Sequence, residues 1–211
     1  MVKLYLRIIG KIANVFIRLG FSPSAITIIG FFMAVFAGIA FWTGHLLTGG
    51  ILLLVGGVFD NLDGAIARNS GNVTRFGALL DSTLDRYSEF VLFLGLYNYI
   101  GTSPDIVLYR TFQVIVFFAL IGSVMVSYVR ARSEALDIGT SVGFFQRPAR
   151  VVMIGLAAML AGLANHILDN INYFLLHDIV IRLLLIVLAI GTNITALRRL
   201  MDSRRRAKGL R

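Results

Sequence analysis

The chain has 211 residues, 57% of them hydrophobic and only 15% charged, with a mean hydropathy of +0.82. So little charge is foreign to a soluble domain of this size, and the length leaves no room for a membrane core plus a second large domain. The lack of cysteine excludes disulfides, thiol redox chemistry and thiolate metal sites, and the net charge of +9 sits beside apolar segments, which points to anionic lipid and phosphate substrates rather than nucleic acid.

Residues 1–20 place Lys3, Arg7, Lys11 and Arg18 at helical intervals, with Leu4, Ile8, Ile9, Ile12, Val15 and Phe16 between them. This is the pattern of a basic amphipathic helix lying on a membrane surface; the alternative is a frayed terminus. No apolar core with a small-residue cleavage site follows, so no cleaved signal is expected. Gly20, Ser22 and Pro23 end the segment. A first span is then expected from Ser24 to Thr43, since ~20 apolar residues at ~1.5 Å each cross the ~30 Å of a bilayer core. Five more follow: from Ile51 to Arg68, Phe76 to Tyr99, Ile106 to Arg130, Pro148 to Ala164 and Ile179 to Leu197. The expected architecture is a single-domain, all-α membrane protein. An N-terminal amphipathic surface helix (1–20) precedes six transmembrane helices (24–197), and a basic tail (198–211) ends the chain. All the Lys and Arg residues except Arg110 and Arg182 fall on one side of this layout. By the positive-inside rule the termini and the polar loops are therefore cytoplasmic. His45, His166 and His177 fall on the other side and read as interfacial residues, not ligands.

Within this apolar chain, the stretch from Asp60 to Asp85 holds four of the eleven acidic residues: Asp60, Asp63, Asp81 and Asp85. Carboxylates at the edge of a membrane helix are costly and are functional candidates by default. Spacings of three and four put each pair on one helix face. A polar turn, Asn69 to Thr74, separates the pairs, so the two helices are expected to be antiparallel neighbours with all four carboxylates at one end. Such a cluster calls for a cation, and all-oxygen ligation favours a hard ion such as Mg²⁺, with Mn²⁺ as the alternative. Gly64 and Ala67 would let a ligand approach the helix closely, or would serve helix packing, as would Gly77. Arg68 offers a planar fork to phosphate oxygens, and Thr74 a hydroxyl.

The stretch resembles the signature of the CDP-alcohol phosphatidyltransferases, D-x2-D-G-x2-A-R-x8-G-x3-D-x3-D, with every fixed position met: Asp60, Asp63, Gly64, Ala67, Arg68, Gly77, Asp81 and Asp85. The resemblance implies that Asp60, Asp63, Asp81 and Asp85 hold two divalent metals. It also implies that Asp85 is the general base, taking a proton from an acceptor hydroxyl that attacks the β-phosphorus of a CDP-linked lipid and releases CMP. The resemblance implies that Pro23, Ser24, Ala25 and Ile26, in the turn before the first span, meet the cytidine side, and Gly64, Ala67, Arg68, Thr74 and Gly77 complete the CDP-lipid site. The implied partners are CDP-diacylglycerol, a phosphorylated alcohol, membrane lipid and a second copy of the chain. Glu89, one turn past Asp85, reads as the partner of an arginine.

From Ser127 to Arg150 the chain carries S-Y-x-[KR]-A-R-[AS]-E, then R-x-x-R. This resembles the phosphatidylinositol phosphate synthase branch, which implies inositol 1-phosphate as acceptor and a phosphate pocket of Arg130, Arg132, Arg147, Arg150 and Arg198. Gln146 and Ala149 stand where that branch has glutamates, and glycerol 3-phosphate is the competing acceptor. Two readings of other classes are a cation or proton transporter using the aspartates and a silent scaffold. Against the first, the aspartates gather at helix ends, not at the midplane; against the second, no motif aspartate is lost.

Overall fold

A computed structural model describes residues 2–101, 106–139, 142–168 and 178–209, with side chains from Arg7 onward. Among these residues the chain is all helix: α1 (Val2–Arg18), α2 (Pro23–Trp42), α3 (Leu46–Ser70), α4 (Arg75–Ile100), α5 (Ile106–Ala135), α6 (Arg147–Leu168) and α7 (Ile179–Ala207). His177 lies outside the described residues.

The helix ends follow local chemistry. Ser22 caps α2 by accepting from the Ala25 N–H, and Pro23 occupies the first turn, where its missing N–H costs nothing. Gly71 closes α3 in the left-handed region at φ 70°, and Thr74 starts α4 by accepting from the Gly77 N–H at 3.0 Å. The motif turn is thus four residues long, and it fixes where the two aspartate-bearing helices begin and end.

Five helices are long and apolar enough to cross a membrane: α2, α3, α5, α6 and α7. α4 has 26 residues but carries Arg75, Asp81, Asp85, Arg86 and Glu89, and it falls outside that group. Several helices exceed the expected spans. α3 begins at Leu46 and not Ile51, and α5 runs on to Ala135. Residues 198–207, expected in a tail, continue α7 for a total of 29 residues. At ~1.5 Å per residue such a helix outruns ~30 Å of hydrocarbon by two turns or more.

Packing closes α2 to α7 into a ring in the order α2, α3, α6, α7, α5, α4, with α1 laid against α3. The expectation that α3 and α4 are direct neighbours is therefore corrected. α2 packs against both, and α3 and α4 face each other across the interior, where two cavities open between them. Close approach along the ring depends on small residues, as expected where lipid supplies no hydrophobic drive between helices. A Cβ at Gly95 would lie 2.2 Å from the Gly38 carbonyl oxygen, so α2 and α4 touch backbone to backbone. α1 turns Ile9 and Ala13 inward onto Ile26, Leu62, Ala65 and Ile66, leaving Arg7, Lys11 and Arg18 exposed. Large apolar side chains such as Phe32, Phe36, Leu94, Phe117 and Leu183 point out of the ring, as a lipid-facing surface requires.

Candidate active site

The helical phase of the motif carries its carboxylates into the ring interior from two sides. One oxygen each from Asp60, Asp81 and Asp85 lie within 4.8 Å of one another. Asp63 is buried beside them, and the Oδ2 of Asp63 and Oδ1 of Asp81 are buried without a hydrogen-bond partner. Buried carboxylate oxygens with no donor are costly, and a converging all-oxygen set with spare lone pairs fits a hard divalent cation. On this test the residues suit Mg²⁺ or Mn²⁺.

The cluster lies between two cavities. On one side a cleft of about 420 Å³ is lined by Pro23, Ser24, Thr27, Asp63, Gly64, Ala67, Arg68, Thr74, Gly77 and Asp81, among others. Seven of the residues expected around the CDP-lipid thus meet on one surface. A Cβ at Gly64 would meet only the Arg68 guanidinium, and one at Gly77 only the Thr74 hydroxyl, so neither glycine serves helix packing. Ala25 and Ile26 stand apart: neither lines the cleft, and Ile26 is fully buried under α1. Thr27, which sequence reasoning passed over, lines both cavities, and its place one turn beyond Pro23 was the available signal.

On the other side is a narrow chamber lined by Asp60, Asp85, Ser88, Glu89, Arg147 and Arg150. Here the arginines of α6 reach the acidic residues. Arg147 spans the cluster, with Nη1 donating to Asp60 Oδ1 at 2.7 Å and Nη2 lying 2.8 Å from Asp85 Oδ1. Arg150, one turn-length further, is 1% exposed and pairs with Glu89, which is the partner expected for that glutamate. Its Nη1 donates to the Phe145 carbonyl at 2.8 Å. Arg150 therefore has one donor in the connection before α6 and two on α4.

The other expected arginines divide. Arg130 is exposed and pairs with Glu134, and Arg132 is exposed. Arg198 is also exposed, whereas Arg199, about 100° further round α7, is buried. Arg199 donates from Nε to the Val142 carbonyl and from Nη1 to the Val126 carbonyl, both at 2.8 Å, while its Nη2 is buried without a partner. Arg130 and Arg150 lie within electrostatic range of it. The signal for Arg199 was helical phase: Leu185, Leu188, Thr192, Thr195, Ala196 and Ser203 define the inner stripe of α7, and Arg199 falls on it. Of the histidines, His45 precedes α3 with its Nδ1 3.1 Å from the Thr43 hydroxyl, and His166 lies in the last turn of α6.

Residues 21–194 match the family model of the CDP-alcohol phosphatidyltransferases. The phosphatidylinositol phosphate synthase of Mycobacteroides abscessus is 35% identical over 161 residues, covering 75% of this chain and 71% of that protein. The archaetidylinositol phosphate synthase of Pyrococcus horikoshii is 37% identical over 150 residues, covering 71% and 75%. Among solved structures, the Mycobacterium tuberculosis phosphatidylinositol phosphate synthase with CDP-DAG bound superposes with a TM-score of 0.77 at 31% identity, covering 93% of this chain and 94% of that one. The same enzyme in complex with manganese and citrate gives 0.79 at 30% identity, covering 93% and 88%.

Proposed function

The chain belongs to the CDP-alcohol phosphatidyltransferase family, and from that premise we propose that it transfers a phosphatidyl group from CDP-diacylglycerol to inositol 1-phosphate and releases CMP. The observation that carries this reading is the convergence of Asp60, Asp81 and Asp85 between a cleft for the donor and a chamber that Arg147 and Arg150 enter from α6. Both relatives named above act, by their names, to make an inositol phosphate lipid. The named products differ in the lipid and share the inositol phosphate headgroup.

Asp60, Asp63, Asp81 and Asp85 hold the divalent metals, which neutralise pyrophosphate charge and make CMP a better leaving group. Gly64 and Ala67 leave room for the pyrophosphate against α3, and Arg68 supplies a fork to its oxygens. Asp85 accepts the proton of the acceptor hydroxyl as that oxygen bonds to the β-phosphorus and the bond to CMP breaks. Arg147 and Arg199 orient the acceptor through its phosphate, with Arg130 and Arg132 at the rim. A phosphate answers the unpartnered Nη2 of Arg199. The termini and the aspartates face the cytoplasm in this reading, where nucleotides and Mg²⁺ are available, and the gathering of Lys and Arg on one side of the apolar segments supports that orientation.

The test is CMP release by the purified protein with CDP-diacylglycerol and Mg²⁺, supplying inositol 1-phosphate, glycerol 3-phosphate, serine or free inositol singly. Release is expected only with inositol 1-phosphate. Asp85→Asn should keep the fold and abolish release. Release with glycerol 3-phosphate alone would overturn the acceptor, and near-normal turnover of Asp85→Asn would overturn the base.

A further inference from the structure

Arg147 is bonded to two of the carboxylates that the proposed function gives to the metals. One arm reaches Asp60 on α3 and the other reaches Asp85 on α4, so a single guanidinium from α6 joins both sides of the ring interior. A carboxylate oxygen engaged by a charged donor at 2.7–2.8 Å is a poorer ligand, and a cation placed between the same oxygens would repel the guanidinium. The two cations therefore compete. Arg147 also lines the chamber with Arg150, and its side chain keeps 23% exposure, so the guanidinium is not sealed against the aspartates.

We propose that Arg147 couples the metal site to the acceptor site: it is bound to Asp60 and Asp85 until a divalent cation takes those carboxylates, and the released guanidinium then becomes available to the acceptor phosphate. This rests on the reading of the aspartate cluster as the metal site. The consequence is an order of binding. Without metal the fork is tied up and the acceptor meets an incomplete pocket; with metal it is complete. Linkage makes the effect mutual, so acceptor binding tightens metal binding to the same degree. The arrangement also spares the metal-free protein the mutual repulsion of Asp60, Asp81 and Asp85.

The experiment measures Mn²⁺ binding to the purified full-length protein in detergent, without substrates, by the paramagnetic signal of free Mn²⁺. Arg147→Gln is compared with wild type and with Arg86→Gln. Arg86 acts electrostatically on Asp81 and Asp85 but donates to the Ser82 carbonyl, so its removal deletes a neighbouring charge without opening a contact to these carboxylates. Arg147→Gln should tighten Mn²⁺ binding about tenfold, within the usual range of site-to-site coupling, and Arg86→Gln by less than about threefold. Melting in EDTA should fall in Arg147→Gln, and its rise on adding Mn²⁺ should exceed that of wild type. Arg147→Lys, which keeps the charge and loses the fork, should fall between. In wild type, inositol 1-phosphate should bind more tightly at saturating Mn²⁺, and this dependence should shrink in Arg147→Gln. Unchanged or weaker Mn²⁺ binding in Arg147→Gln, or a gain no larger than that of Arg86→Gln, overturns the coupling. Failure of the wild type to bind Mn²⁺, or binding untouched by Asp60→Asn and Asp85→Asn, overturns the metal reading beneath it as well.

Discussion

Glu89→Gln removes one negative charge from the ring interior with almost no change of shape. Its partner, Arg150, is 1% exposed and Glu89 10%, and the pair joins α4 to α6 across the chamber. Removing one member of a buried pair costs about 3–5 kcal/mol, because the other charge stays buried without compensation. For a chain of this length each kcal/mol corresponds to roughly 2–4 °C, so unfolding should shift down by about 6–20 °C. The assay is loss of helical circular dichroism on heating in detergent. A double variant, Glu89→Leu with Arg150→Met, replaces both charges by apolar side chains of similar length. It should lose less than either single change, since neither charge is then left alone. A Glu89→Gln protein melting within about 2 °C of wild type would refute the reasoning, as would a double variant whose loss equals the sum of the singles. The same geometry bears on Arg150→Ala. Three of its nitrogens are engaged within the protein, so a stability loss should accompany any rise in KM for the acceptor.

Two further substitutions probe particular contacts. Gly95→Ala should cost about 1–3 kcal/mol by driving α4 away from α2 at the Gly38 carbonyl. Gly10→Ala, whose Cβ meets nothing within 4 Å, should leave the melting temperature unchanged or slightly raised, and equal behaviour of the two would discount the close approach. Arg199→Gln should raise KM for inositol 1-phosphate about tenfold or more, the loss of a charged hydrogen bond to phosphate, while Arg198→Gln should stay within about twofold. Steady-state CMP release at varied acceptor measures both, and a larger effect from Arg198 would move the pocket to the other face of α7.

Much of the site was legible because its signals are local. Apolar runs of membrane length and the three- and four-residue spacings of the aspartates depend only on helix geometry and on neighbours in sequence. So does the clustering of Lys and Arg at one side of the apolar segments. Phase and partner were not legible in the same way. Arg198 and Arg199 are adjacent, and only the stripe of α7 that packs into the ring decides that Arg199 is buried. α3 and α4 are joined by four residues, yet α2 stands between them in the ring, because Gly38, Gly95 and their neighbours let α2 approach α4 more closely than a bulkier pair would. The ion pairs Arg147–Asp60 and Arg150–Glu89 join residues 87 and 61 positions apart. By itself the sequence determined which chemical groups the protein brings to a membrane and at which helix ends they stand. Only the tertiary structure decided which of them meet, because that depends on how closely small residues allow the helices to approach, and on which carboxylate each long, flexible arginine can then reach.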